Sequence, residues 1–412
     1  MTLHELLRIV QTVVPALVSL VAVRWVFFKV LRIAKEKNVV DNPEARKLQK
    51  EPVPVMGGIA VLFGVLCGLL VGCCLIGTDG ATVFMHRQDI WQIMGSLLPV
   101  VLGMGIMVYT GVMDDIIGVK PSHRIMIEVL TILGLIYGSG ACVDDLHGVW
   151  DIYHFNWCIA VPLTVFAGVA IINAINMVDG VNGLSSGLCM VYCAVFGVAF
   201  ARSSDWVNAV LAFCMVGALL PFFVHNVFGK KSRMFIGDAG AMVMGILMTW
   251  FTISILRSDT FVGWTYYKLD ICLVALCLAI MSVPLADLAR VTVMRAFRGK
   301  NPFAADKTHL HHALIAAGMS HLITTLVEIL LDLMVVCIFV VGYKMKLSIT
   351  NQLYLVCVSG AVLVWGTYAF LSYHAIHKTR TYEKMKNLSR HSQWEQKKWW
   401  LRFQTWLDEP NR

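Results

Sequence analysis

The chain has 412 residues, 58% of them apolar and only 15% charged, with a formal net charge of +8. Soluble globular proteins are about half apolar and about a quarter charged, so this balance excludes an ordinary soluble domain. Nor does the basic excess mark a nucleic-acid binder, because Lys and Arg fall in short gaps between apolar runs and not on one soluble face.

A bilayer core about 30 Å thick needs about 20 helical residues to cross it. Eleven runs reach that length, at about 6–31, 56–77, 91–113, 124–142, 157–176, 184–201, 206–225, 239–256, 269–290, 322–343 and 350–372. The first is too long for a signal peptide and has no small-residue cleavage site, so it is expected to stay as the first helix. The fold class is therefore all-α, a polytopic membrane protein of about 11 transmembrane helices. Residues 1–372 would form the transmembrane catalytic domain and 373–412 a cytoplasmic tail. In the tail, Trp399, Trp400, Phe403, Trp406 and Leu407 recur at helical spacing among Lys397, Lys398 and Arg402. That pattern suits a helix on the inner leaflet or one packed on a partner subunit. Most of the twelve cysteines lie inside apolar runs, without a CxxC pair or zinc spacing, and read as small packing residues.

Lys and Arg set the orientation. With 35–55 placed in the cytoplasm, that side collects 24 of the 34 basic residues and the opposite side 6; the other four lie in the first run. The N-terminus is then outside and the C-terminus inside. The segment 143–156 carries Asp144, Asp145 and Asp151 without Lys or Arg, as an outer loop should.

This orientation puts every unusual polar motif on the cytoplasmic side. Asp114 and Asp115 close the third run, and two adjacent carboxylates repel unless a cation sits near them; a solvated helix end would read the same way. Asn173, Asn176, Asp179 and Asn182 leave the fifth run with Gly180 and Gly183, which let a backbone approach a ligand closely. Phe235-Ile-Gly237-Asp238 precedes the eighth run, where Asp238 could cap the helix or hold a divalent cation that bridges to phosphate. The stretch 287–312 holds Asp287, Arg290, Arg295, Arg298, His309, His311 and His312. Its histidines lack the partners of a zinc site and, among cations, suit phosphate and sugar hydroxyls better. Arg46-Lys47-Leu-Gln49-Lys50 followed by Pro52-Val-Pro54 and Gly57-Gly58 adds cations and a rigid turn. Together these groups are the equipment of phosphoryl transfer around a hard divalent cation.

Met113-Asp114-Asp115, Asn176-Met-Val-Asp179-Gly180-Val-Asn182-Gly183, Phe235-Ile-Gly237-Asp238 and His309-Leu-His311-His312 resemble the polyprenyl-phosphate N-acetylhexosamine-1-phosphate transferases (glycosyltransferase family 4). The motifs come in the family's order and span about Asp41 to Gly318. The interrupted His triplet, after Asn301-Pro302-Phe303-Ala-Ala-Asp306, looks like the branch that transfers GlcNAc-1-phosphate. The phospho-N-acetylmuramoyl-pentapeptide transferase branch usually shows three consecutive histidines. The resemblance implies transfer of N-acetylhexosamine-1-phosphate from a UDP-sugar to undecaprenyl phosphate, with release of UMP, at the cytoplasmic face of the cell (inner) membrane. Such a step opens a cell-surface polysaccharide pathway such as that of O-antigen or teichoic acid. It implies Mg²⁺, with Mn²⁺ as a substitute, and leaves open a homodimer.

By the same resemblance, Asp238, Asn176 and Asp115 would hold the metal. Asp114 would stand near the lipid phosphate, and His311 would join Asp114, Asp115 and Asp238 as catalytic. Lys50, Asp179, Gly180, Asn182 and Phe235 would line the uridine end, with Asn182 where many bacterial members carry Asp. His309, His312, Arg295 and Arg298 would bind sugar and diphosphate, and Lys47 the lipid phosphate. A nucleotide-sugar or lipid transporter is the competing class. Its site would lie nearer the bilayer midplane, where Glu128, Glu328 and Asp332 are the available acids.

Overall fold

The computed structural model describes residues 3–43, 51–76, 87–257, 270–299, 308–391 and 397–409. In lipid every backbone N–H and C=O must find an internal partner, and long apolar runs do so as helices. Fifteen helices are described: α1 Leu3–Glu36, α2 Gly57–Ile76, α3 Arg87–Ile117, α4 Pro121–Ser139, α5 Trp157–Met177, α6 Leu184–Arg202, α7 Trp206–Phe228, α8 Gly237–Leu256, α9 Leu273–Ile280, α10 Ser282–Phe297, α11 Leu310–Ala316, α12 His321–Lys344, α13 Ile349–Ile376, α14 Arg380–His391 and α15 Lys398–Asp408. Nine of them are long and apolar enough to cross a membrane: α1, α2, α3, α5, α6, α7, α8, α12 and α13. The chain is a polytopic, all-α membrane protein.

The two remaining sequence runs depart from a plain span. α4 is one continuous helix, but its apolar run is interrupted by the charged pair Arg124 and Glu128. The run 269–290, expected as one straight span, is broken at Met281, where α9 and α10 meet at 82°. Pro284 sits in the first turn of α10, where a missing N–H costs nothing. Asp332 of α12 completes the new helix start, accepting from Val283 N–H and Ser282 Oγ–H, each at 2.7 Å. Tyr192 Oη donates to the other Asp332 oxygen at 2.5 Å.

α8 is the axis of the bundle. Its membrane-length window is 100% buried, against 22% for the peripheral α13. It packs on α3, α5 and α2. Small residues allow these crossings: a Cβ on Gly58 would come 2.2 Å from the Gly240 nitrogen, and one on Gly111 2.2 Å from that of Ala239. The ends of α2 and α3 are thereby held against the first turn of α8.

Two small antiparallel hairpins mark opposite ends of α8. At its N-terminal end, β1 (Val40–Asp41) pairs with β2 (Val53–Pro54), with Val40 opposite Pro54 and Asp41 opposite Val53. The segment after β2 is stitched to the start of α8: Phe235 N–H donates to Pro54 O at 2.8 Å, and Gly57 and Gly58 N–H to the Phe235 and Ile236 carbonyls at 3.0 and 2.9 Å. At the other end, β3 (Asp145–Val149) and β4 (Ile152–His154) turn the expected outer loop into a hairpin packed near α9 and α13.

Candidate active site

Asp238 stands in the first turn of the buried axis, and the helices around it bring their polar ends to the same place. A helix N-terminus favours negative charge, because its unpaired N–H groups point outward. Asp115, at the end of α3, uses that end: its Oδ1 accepts the Asp238 N–H at 3.2 Å. Its Oδ2 is buried and has no hydrogen-bond partner among the described residues. Gly237 makes this approach feasible. It has φ +72°, and a Cβ there would lie 2.5 Å from that Oδ2. Asn176, in the last turn of α5, donates from Nδ2 to Asp238 Oδ1 at 2.5 Å. The Asp238 side chain is still 33% exposed, so one side of it can meet a ligand.

Arg124 binds this group into a network that the motifs did not disclose. Its NH1 lies 3.4 Å from Asp114 Oδ2 and 3.8 Å from Asp238 Oδ1, and its Nε 3.5 Å from Glu128 Oε1. Its NH2 donates to Asn173 Oδ1 at 3.1 Å, and Asn173 donates to Glu128 Oε2 at 2.6 Å. Asp114 also accepts the Val119 N–H at 2.7 Å. One guanidinium thus offsets three carboxylates, and its i, i+4 spacing to Glu128 was visible in the sequence. Glu128 belongs to this site's support and not to a separate midplane site.

The donor set fits a hard divalent cation. Asp238, Asp115 and the Asn176 amide offer oxygen ligands, and the buried Asp115 Oδ2 awaits a partner. Among the described residues no three His, Cys, Asp or Glu side chains stand close enough to hold a metal unaided.

The histidines form a second cluster on the far side of Gly180. His309 Nδ1 lies 2.7 Å from Asp287 Oδ2, and Arg290 donates to Asp287 Oδ1 from NH2 at 2.7 Å and from Nε at 3.1 Å. Arg290 also donates to the Thr308 carbonyl and lies 3.5 Å over the Tyr368 ring. Asp287 accepts the Leu310 N–H as well, at 3.3 Å, and so fixes the start of α11. A carboxylate on Nδ1 sets the His309 ring orientation and leaves Nε2 for a ligand. The His309 and His311 rings are parallel with centroids 5.7 Å apart, and His312 lies 4.3 Å from His311. Burial, with His312 and His309 beside it, holds the His311 imidazole well below its ordinary range, so it is neutral near pH 7. A Cβ on Gly180 would come 3.2 Å from His311 Nε2, which makes the Asn176–Gly183 turn the bridge between the clusters.

Gly180 also opens onto a cleft of about 530 Å³, together with Asn182, Phe235 and His321. Lys35, Lys230, Lys231 and Arg233 give this cleft its positive charge. None of those four, nor His321, was selected from the sequence. In the sequence the basic residues serve only to orient the chain, and His321 falls in the cytoplasmic segment just before the run 322–343. His321 Nδ1 accepts the Asn182 N–H at 3.1 Å and so fixes the turn.

The other expected residues divide. Asp179 is half-buried and does not line the cleft; it accepts from Ser185 Oγ–H, and desolvation, opposed by that bond and reinforced by Asp238 and Asp41, pushes its carboxyl up to about 8. Arg295 is buried in the last turn of α10, whereas Arg298 is exposed at its C-cap. Lys47 and Lys50 lie outside the described residues, as do Asn301, Pro302, Phe303 and Asp306.

Residues 97–256 match the model of glycosyl transferase family 4. This stretch includes Asp114, Asp115, Asn176 and Asp238. The chain is 28% identical over 319 residues to the undecaprenyl-phosphate alpha-N-acetylglucosaminyl 1-phosphate transferase of Escherichia coli K12, covering 75% of this chain and 78% of the relative. It is 28% identical over 344 residues to the probable undecaprenyl-phosphate N-acetylglucosaminyl 1-phosphate transferase of Bacillus subtilis 168, covering 83% and 85%. The corresponding Yersinia pestis protein is 26% identical over 300 residues, covering 71% and 74%. These matches bear out the resemblance read from the motifs: the chain is a relative of the polyprenyl-phosphate N-acetylhexosamine-1-phosphate transferases of glycosyl transferase family 4, on the branch of the GlcNAc-1-phosphate enzymes.

Proposed function

We propose that this protein transfers GlcNAc-1-phosphate from UDP-GlcNAc to undecaprenyl phosphate in a Mg²⁺-dependent reaction that releases UMP. The observation that carries the reading is the meeting of Asp115, Asn176 and Asp238 at the N-terminus of α8, next to a cleft lined by four cations. Positioning and charge neutralisation are most of what phosphoryl transfer requires.

Asp238 and Asp115, with Asn176, would hold Mg²⁺. When bound, the cation neutralises the diphosphate and polarises its phosphorus–oxygen bonds. Lys35, Lys230, Lys231 and Arg233 attract the anionic donor, and Gly180, Asn182 and Phe235 receive its nucleoside. The Asp287–His309 pair and neutral His311 can hydrogen-bond the sugar and its phosphate. A lipid phosphate oxygen then attacks the β-phosphorus of the donor. The bond from that phosphorus to the bridging oxygen breaks, and UMP leaves with the bridging oxygen and its electron pair. A phosphate monoester is largely ionised at neutral pH, so no strong base is needed. Asp114 is already engaged by Arg124 and the Val119 N–H, which speaks for a positioning role and for one direct displacement. The product would open a cell-surface polysaccharide pathway.

Purified protein supplied with undecaprenyl phosphate and Mg²⁺ should release UMP from UDP-GlcNAc and stop when the metal is chelated. Release only from UDP-MurNAc-pentapeptide would transfer the protein to the muramoyl branch. Substrate flux in sealed vesicles without UMP would make it a transporter.

A further inference from the structure

The C-terminal helix lies outside the family-matched stretch, yet it is anchored to the basic loop that lines the cleft. Two aromatic residues dock it: Trp400 and Phe403 meet the Phe228 ring with centroids 5.3 and 6.0 Å apart. Gln404 Nε2 donates to the Phe228 carbonyl at 3.0 Å. The last residue of α15 closes the contact. Asp408 accepts the Lys231 and Ser232 N–H groups at 2.9 Å each, the Lys230 N–H at 3.2 Å and the Ser232 Oγ–H at 2.6 Å.

Successive backbone N–H groups around one carboxylate form an anion nest. Burial pushes the Asp408 carboxyl up, but these donors outweigh it and hold it below the ordinary carboxylate range. Having donated to Asp408, Ser232 Oγ can accept Nδ1–H of His225 at 3.1 Å. From the other side, Lys35 Nζ donates to the Lys231 carbonyl at 2.8 Å. The loop is thus fixed through its backbone, which leaves the side chains of Lys230, Lys231 and Arg233 at the cleft. Three neighbouring cations repel one another, and ordering them only when the donor arrives would cost affinity.

We propose that Asp408 is a positioning residue for the nucleotide-diphosphate donor, holding the 230–233 loop so that its cations are set before the substrate binds. This rests on reading the cleft as the donor cleft. The test uses the full chain carrying Asp408→Asn, which keeps the shape and removes the charge. Hydrogen exchange over 229–234 should accelerate. The KM for UDP-GlcNAc should rise about tenfold, while kcat and the KM for undecaprenyl phosphate change by less than about twofold. Asp408→Glu, which restores the charge, should recover most of the loss. Unchanged exchange would show that no clamp exists. Accelerated exchange with an unchanged donor KM, or an equal rise in both KM values, would overturn the positioning role. If the unaltered protein releases no UMP from any UDP-sugar, the functional reading fails by itself. Titration with UDP then decides the present one, and equal affinity of the unaltered and Asp408→Asn chains would end it.

Discussion

Asp238 is the residue on which the carboxylate cluster turns. It receives Asn176, faces Arg124 and gives its N–H to Asp115. Asp238→Asn keeps the volume and removes the charge. We expect kcat to fall by about a hundredfold or more, with lipid affinity little changed, because the lost interaction matters most as charge develops. UMP release and a separate lipid-binding measurement check this, and near-normal turnover in Mg²⁺ would defeat the metal assignment. Gly237 gives an independent test. An Ala there must adopt φ +72° and place its Cβ 2.5 Å from Asp115 Oδ2. Gly237→Ala should cost about 1–3 kcal/mol of stability and displace Asp115. Its melting temperature and UMP release should fall together; a variant that melts and turns over like the original would show that the Asp115 position is not critical. The acids and amides of this cluster were legible because their motifs are dense in chemistry-bearing residues. Arg124 was not, since one basic residue in a short cytoplasmic loop is what topology alone supplies. The same holds for Lys230, Lys231 and Arg233, whose role appears only when a cleft is seen beside them.

Among the elements, the break at Met281 has the widest effect on the site. It lets α10 leave at 82° to α9 and carry Asp287, with Arg290 bound to it, to His309 at the N-cap of α11. Hydropathy could not announce it, because a bent pair and a straight span have the same apolar composition. Pro284 was the local hint, and its meaning depends on Asp332, a residue 48 positions later in the chain. Read as a mid-span acid, Asp332 suggested transport; in place, it caps α10 and receives Tyr192. Asp332→Ala leaves the Tyr192 and Ser282 hydroxyls and the Val283 N–H without their acceptor. Removing the partner of a buried donor costs about 1–3 kcal/mol per group, so for three donors a loss of at least about 3 kcal/mol is expected. Asp332→Asn retains an acceptor oxygen and should lose less. Thermal unfolding of both in detergent checks the order. Equal stability of Asp332→Ala and the original would mean that the break is held by packing alone.

For the whole molecule, the plan is a buried axis with chemistry at one end. Asp115, Asn176 and Asp238, from three of the motifs read from the sequence as cytoplasmic, meet at the N-terminal end of α8, and the hairpin with Asp145 and Asp151 lies at the other. This agreement ties the charge-based orientation to a direct measurement. Cys158 is exposed at the start of α5, on the hairpin end, whereas Lys231 is exposed at the cleft. In a chain whose other cysteines are replaced by Ala, a membrane-impermeant maleimide should label Cys158 in intact spheroplasts. With Cys158 also replaced and Lys231→Cys introduced, labelling should require permeabilisation. The basic residues divide 24 to 6 in favour of this orientation, a bias large enough to set the orientation of a polytopic chain. The reverse labelling pattern would put the carboxylates and the cationic cleft outside the cell. A cytoplasmic nucleotide sugar could not reach them there, so the proposed reaction would fall with the topology even if the local geometry were correct.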